Sequence, residues 1–145
     1  MTPVFDEMMS QSLLKNNLFA FWVGSNPELT LGYYDSTKFK GDIHWIPVEL
    51  KFQFGLKLDD IKINGKPLNI CKDAENCLVN IDSGQTVNSF PSFAHEVLKA
   101  NKLPADGFSV ACQNPSEFGE MAMVIGGKDF VIPNNDWVTP PGSLM

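Results

Sequence analysis

Leu78-Val79-Asn80-Ile81-Asp82-Ser83-Gly84 is a short apolar run that ends on a carboxylate, a hydroxyl and a glycine. It predicts a strand over Leu78–Ile81 that delivers Asp82 to a tight turn. Backbone N–H groups of such a turn can hydrogen-bond the carboxylate and hold it rigid, which suits acid/base chemistry. Gly84 lets the backbone pass close to the carboxylate, or lets it take a positive φ. The same three residues also describe an ordinary Asx-type turn at a strand end. On the tripeptide alone both readings stand.

Outward from this stretch the pattern is one of short strands and turns. Leu18 to Val23, bounded by Asn16-Asn17 and Gly24-Ser25-Asn26-Pro27, predicts a buried strand, and Leu29 to Tyr34 a second. Lys38 to Gly41 reads as a turn and Asp42 to Val48 as a strand carrying Trp45. Leu50, Phe52, Phe54, Leu56 and Leu58 alternate with polar residues, the period of a half-buried strand. Ile61 and Ile63 flank Lys62, Asn64-Gly65 closes a tight hairpin turn, and Pro67 to Ile70 returns from it. Phe108 to Cys112 and Met121 to Ile125 read as strands, with Gly126-Gly127 turning the latter into Phe130 to Ile132. Two helices are expected. Pro3 to Leu14 has Pro at its start and Asp6 and Glu7 in its first turn. Ser92 to Ala100 places Phe93, Val97 and Leu98 on one face.

Composition narrows the function. At 145 residues and 43% hydrophobic, the chain has the size and apolar content of one packed domain or one lobe of something larger. The net charge is −6, and all 11 basic residues are Lys. Nucleic-acid recognition relies on basic patches and the planar Arg fork, so that partner class is discounted. No apolar run reaches the ~18 residues of a membrane span. The residues after Met1 lack the basic start and apolar stretch of a signal peptide. A soluble chain without a targeting segment, and without a membrane partner, is therefore expected.

Five segments in order carry a resemblance. They are Pro3-Val4-Phe5-Asp6 with Leu13-Leu14 and Leu18-Phe19; Gly32-Tyr33-Tyr34-Asp35-Ser36 with Lys40-Gly41 and Trp45-Ile46-Pro47-Val48; Asp59-x-Ile61-x-Ile63-Asn64-Gly65; Cys71-x5-Cys77 just before the strand bearing Asp82; and Val124 to Pro133. Together they resemble the C-terminal lobe of the pepsin-like aspartic peptidases. The resemblance implies a mostly β fold, one lobe of the bilobal acid-protease architecture with two short helices, and makes residues 1–145 a partial C-terminal lobe.

In that family each lobe donates one Asp to a shared cleft, and the pair activates water to attack a peptide carbonyl at acid pH. Asp82 then matches the catalytic Asp of the second lobe. Ser83, Gly84 and Gln85 match its supporting loop, and Gly84, Gln85 and Thr86 its substrate contacts. The implied partners are a peptide or protein substrate and an N-terminal lobe, or a second subunit, carrying the other Asp. No cofactor or metal is implied. The family's oxidising compartments imply a secreted or lysosomal/vacuolar location and a disulfide between Cys71 and Cys77.

The chain departs from the family at two positions and lacks several of its parts. Gln85 stands where the family has Ser or Thr, whose hydroxyl bonds the catalytic carboxylate, and Asn80 stands where it prefers an apolar residue. The first-lobe Asp motif, the flap with its Tyr and the closing strands have no match. A single Asp cannot form the pair, so the chain is expected to be inactive alone. The alternative is a non-catalytic pseudo-peptidase acting as a binding or scaffold subunit. Another is a retroviral-type homodimer, in which Val124-Ile125-Gly126 would serve as the apolar-apolar-Gly element downstream of Asp82.

The remaining candidates have plainer readings. Cys71 and Cys77, apart from the resemblance, read as a metal or redox pair or as a structural bridge. Cys112 is left for a partner further along or as a free buried thiol. His44 and His95 read as surface or boundary residues, and no Ser–His–Asp arrangement is visible. Asp35-Ser36-Thr37 imitates a catalytic triplet without its Gly and reads as a loop turn. Asp59-Asp60 reads as a solvated pair, with cation binding as its functional alternative.

Overall fold

The computed structural model describes residues 2–85, 88–101 and 118–138. The strand expected over Phe108–Cys112, Cys112 itself and Thr86 lie outside them. The chain divides into two compact units, Met1–His44 and Trp45–Met145.

The first unit opens with α1 (Val4–Ser10), with Pro3 at its N-cap and Asp6 and Glu7 in its first turn. The helix stops four residues before the expected Leu14. Ser12 takes a left-handed φ of 56°. Leu13 N–H then reaches back to Met8 O and Ser12 N–H to Met9 O, both at 3.0 Å. This is the Schellman pattern, with Ser where Gly is usual.

Strands β1 (Phe19–Trp22) and β2 (Glu28–Leu31) follow as an antiparallel hairpin in which Phe19 faces Leu31 and Trp22 faces Glu28. The expected buried strand is therefore a strand but not a buried one. Within the described residues this sheet has two strands only, and its apolar side chains find little cover: Phe21 is 58% exposed. Edge-to-face contacts link Phe5, Phe19 and Phe21 at centroid separations of 5.8 Å. Thr30 is buried and donates its hydroxyl to Tyr33 O at 2.8 Å, which fixes the exit of β2.

Asp35 caps the 3₁₀ turn Ser36–Lys38, as the loop reading expected. Its Oδ1 accepts both the Thr37 hydroxyl at 2.7 Å and the Thr37 N–H at 2.8 Å. These bonds, the hydroxyl first, hold the Asp35 carboxyl below its ordinary value of 3.8. A depressed carboxyl contributes stability that is whole above 3.8 and is lost as the pH falls through the lower folded value. Thr37→Ala should raise the Asp35 midpoint toward 3.8 in an NMR titration, without reaching it because the N–H bond remains. An unchanged midpoint would contradict the assigned cause.

Among the described residues the second unit holds two sheets. β3 (Val48–Leu50), β4 (Gly55–Lys57) and β7 (Leu78–Asn80) pair antiparallel in that order. β6 (Lys66–Pro67), β5 (Asp60–Ile63), β8 (Met121–Ile125) and β9 (Lys128–Ile132) form the other. Two expectations are corrected here. Residues 42–47 are irregular, and regular pairing starts only after Pro47, which has no N–H to donate. The alternation of Leu50, Phe52 and Phe54 is not one strand: Lys51 to Phe54 turn back between β3 and β4, with Phe54 at a φ of 52°. The reversal brings Gly55 opposite Leu50, so close that a Cβ on Gly55 would stand 2.9 Å from Leu50 Cβ.

The Asn64-Gly65 and Gly126-Gly127 hairpins form as expected, all four residues at positive φ. Ile61 pairs with Met123 and Met123 with Phe130, and Ile63 pairs with Met121 and Met121 with Ile132. Because side chains alternate across a strand, these rows share one face. A second helix, reached through the 3₁₀ turn Ser92–Ala94, is α2 (His95–Ala100). The turn contributes Ala94, and the helix Leu98, to a core with Leu58, Ile61, Leu68, Ile70, Met121 and Ile125. Phe93, expected on the same inward face, is 50% exposed, because Ala94 takes the inward position. A third, one-turn helix not foreseen in the sequence, α3 (Asn134–Trp137), follows β9, and its Trp137 indole donates to Gly119 O at 3.1 Å.

A disulfide joins Cys71 and Cys77, with Cα atoms 5.4 Å apart. Both cysteines pack against the core, and Cys77 O accepts the Leu58 N–H at 2.9 Å. Closing so small a loop stabilises by roughly 2 kcal/mol in the chain-entropy account. The Cys71→Ser, Cys77→Ser double variant should lose about that much in chemical denaturation. A loss below roughly 0.5 kcal/mol would contradict it.

Candidate functional site

Cys77 leads directly into β7, which is the outer strand of its sheet among the described residues. Its register sets Leu78 against Lys57, Val79 against Leu56 and Asn80 against Gly55. Val79 turns toward the core cluster, while Leu78 and Asn80 are exposed. The strand ends at Asn80, one residue before the expected Ile81, and Ile81 is 62% exposed. Asp82 follows at the start of the turn. The disulfide on one side and the pairing with β4 on the other thus fix the base from which Asp82 projects.

The turn is held by two bonds of Asp82. Its Oδ1 accepts the Gly84 N–H at 2.8 Å, and its backbone O accepts the Gln85 N–H at 3.3 Å. Gly84 does not need a positive φ here. It favours close approach instead: a Cβ on it would stand a tight 3.2 Å from Asp82 Oδ1. Of the two uses the sequence offered for this glycine, close approach is the one the structure employs. Ser83 and Gln85 are exposed beside Asp82. The Gln85 side chain runs along the loop and donates from Nε2 to Ser89 Oγ at 2.8 Å. Asn80 donates from Nδ2 to Gln53 Oε1 at 3.3 Å, tying β7 to the β3–β4 turn. The structure thus gathers Asp82, Ser83, Gly84 and Gln85 in one exposed turn. Ser89, which the sequence did not single out, joins them as a polar side chain across a loop, with no motif to announce it.

The other candidates resolve into structural roles. Asp59 and Asp60 accept backbone N–H groups rather than standing as a solvated pair. Asp60 takes those of Asn69 at 3.0 Å and Ile70 at 2.9 Å, and Asp59 takes that of Gly127 at 2.9 Å. They brace two turns that close the four-stranded sheet. Lys62 reaches across β8 to Asp129, with both oxygens within 2.8 Å. His44 is exposed and His95 half-buried at the start of α2. Among the described residues no three His, Cys, Asp or Glu side chains converge as a metal site would require. No helix among them is long and apolar enough to cross a membrane.

The chain is similar to known proteins over nearly its whole length. The family model described as eukaryotic aspartyl protease matches residues 1–143. Cathepsin E of Oryctolagus cuniculus is 33% identical over 96% of this chain and 37% of its own length. Cathepsin D of Dictyostelium discoideum is 29% identical over 94% of this chain and 37% of its own. Among solved structures, the aspartic proteinase from Irpex lacteus superposes with a TM-score of 0.68 at 22% identity. That match covers 91% of this chain and 42% of that one. It shows the same mostly β fold. The chain spans little more than a third of the length of the curated relatives it matches.

Proposed function

Because the chain belongs to the eukaryotic aspartyl protease family, we propose that it is a C-terminal lobe of a two-lobed aspartic endopeptidase and supplies Asp82 as one of its two catalytic carboxylates. The observation that carries the reading is the Asp82 turn: a carboxylate at the end of β7, held through Oδ1 by the Gly84 N–H. That bond leaves Oδ2 for a second carboxylate and a water.

For aspartic peptidases as a class, two carboxylates about 3 Å apart share one proton because they cannot both ionise. One accepts a proton from the water as it attacks the peptide carbonyl, and the other donates a proton toward the carbonyl oxygen. Ser83, Gly84 and Gln85 hold Asp82 in place, and Gly84, Gln85 and Thr86 meet the substrate backbone. The other carboxylate comes from an N-terminal lobe, so the chain by itself does not cleave peptides. The Cys71–Cys77 disulfide favours an oxidising compartment, secreted or lysosomal/vacuolar.

Asn80 and Gln85 support a second reading, a lobe that has kept the fold and lost catalysis to serve as a binding or scaffold subunit. The partner lobe is tested first. Immunoblotting of the native protein against this chain, followed by intact mass spectrometry, should find a species well above 16.1 kDa, or this chain in stoichiometric complex with another. A lone monomer of 16.1 kDa would overturn the two-lobed reading.

A further inference from the structure

The loop that carries Asp82 has to hold its carboxylate still between a strand paired on one side and a helix seated in the core. β7 fixes one end. At the other end, Pro91 caps the 3₁₀ turn that leads into α2, and Ala94 of the turn and Leu98 of the helix are among the most buried of the described residues. Between these anchors, residues 82–85 and 88–89 are exposed. A side-chain bond spans that gap between described residues, from Gln85 Nε2 to Ser89 Oγ at 2.8 Å.

We propose that Ser89 is a positioning residue for the Asp82 site, acting through Gln85. This rests on the peptidase reading given above. Asp82 Oδ1 is held by the N–H of Gly84, and Gln85 follows immediately and donates its own N–H to Asp82 O. Whatever fixes Gln85 therefore fixes both N–H groups that face Asp82. Ser89 does so from the side of the loop rooted in the core. The tie asks only for an oxygen at position 89 that can accept from the Gln85 amide, so Thr should serve and Ala should not.

Two measurements test the role separately. On the full chain, NMR hydrogen exchange at the Gly84 and Gln85 amides should speed up about three- to tenfold in Ser89→Ala and in Gln85→Ala. It should speed up no further in the double variant, and it should stay at the wild-type rate in Ser89→Thr. Unchanged exchange in the single variants, or additive changes in the double, would overturn the tie.

In the chain assembled with its partner lobe, Ser89→Ala should lower kcat about three- to tenfold with KM nearly unchanged. Ser89→Thr should restore it. An unchanged kcat, or a loss that Thr does not rescue, would overturn the positioning role. Wild-type assembly that cleaves nothing would sink the peptidase reading and the positioning role with it. The exchange rates would still report whether the tie exists, so the two failures are distinguishable.

Discussion

Asp82→Asn in the assembled two-lobed protein should lower peptide cleavage at acid pH by about 10²–10⁴-fold, the contribution typical of a positioned acid/base group. Asn is nearly isosteric, and its Oδ1 can still accept the Gly84 N–H that holds Asp82 at 2.8 Å. The turn and its exposure should therefore persist, and thermal stability should change by no more than about 0.5 kcal/mol, as for an exposed substitution. What the amide cannot do is ionise, share a proton with a second carboxylate or accept one from water. The loss should appear in kcat. A binding or scaffold subunit would tolerate the change, because the surface it presents keeps its shape. Retained cleavage would exclude Asp82 from the chemistry.

Leu98→Ala should cost about 2–5 kcal/mol of stability, the range for emptying a closed aliphatic site. Leu98 is 2% exposed on α2 and belongs to the cluster formed with Ile61, Met121 and Ile125. The helix is only six residues long, too short to persist in water without packing. Its one fully buried leucine is therefore what keeps it docked. The melting temperature should fall by roughly 10 °C. A loss below about 1 kcal/mol would mean that α2 is not seated as described. Because α2 also roots the far end of the Asp82 loop, the same variant should lose activity through disorder of that loop before the whole unit unfolds.

The elements that were legible in the sequence are those whose cause is local. Asn64-Gly65 and Gly126-Gly127 each demand positive φ at two successive residues, and the strands on either side follow from that demand. The helix ending at Ala100 was legible from the apolar spacing of Val97 and Leu98, though Ser92–Ala94 form a 3₁₀ turn and Phe93 is exposed. The Asp82 turn was legible because the run of apolar residues ends abruptly on Asp-Ser-Gly. What was not legible depends on partners distant in sequence. The period-2 run from Leu50 to Phe54 has a strand's pattern, yet the chain reverses there because Gly55 must lie against Leu50 and Asn80.

Asp59 and Asp60 look like surface charges until Gly127, Asn69 and Ile70 bring their N–H groups to them. The apolar strand Phe19–Trp22 looks like core, but its burial depends on what covers the sheet, which its own residues do not encode. At the site, Gln85 was visible as a departure from the family pattern. Its partner Ser89 was not, because a hydrogen bond between two exposed polar side chains leaves no periodic trace. The family itself was recognisable because five modest segments, none sufficient alone, fell in the correct order, and the match over residues 1–143 bears this out.

The most direct measurement is a crystal structure of the chain assembled with its partner lobe at acid pH. A second Asp carboxylate should lie about 3 Å from that of Asp82, with one water bound between them. A structure in which Asp82 faces solvent, with no second carboxylate within about 6 Å, too far for the two to share a proton, would contradict it.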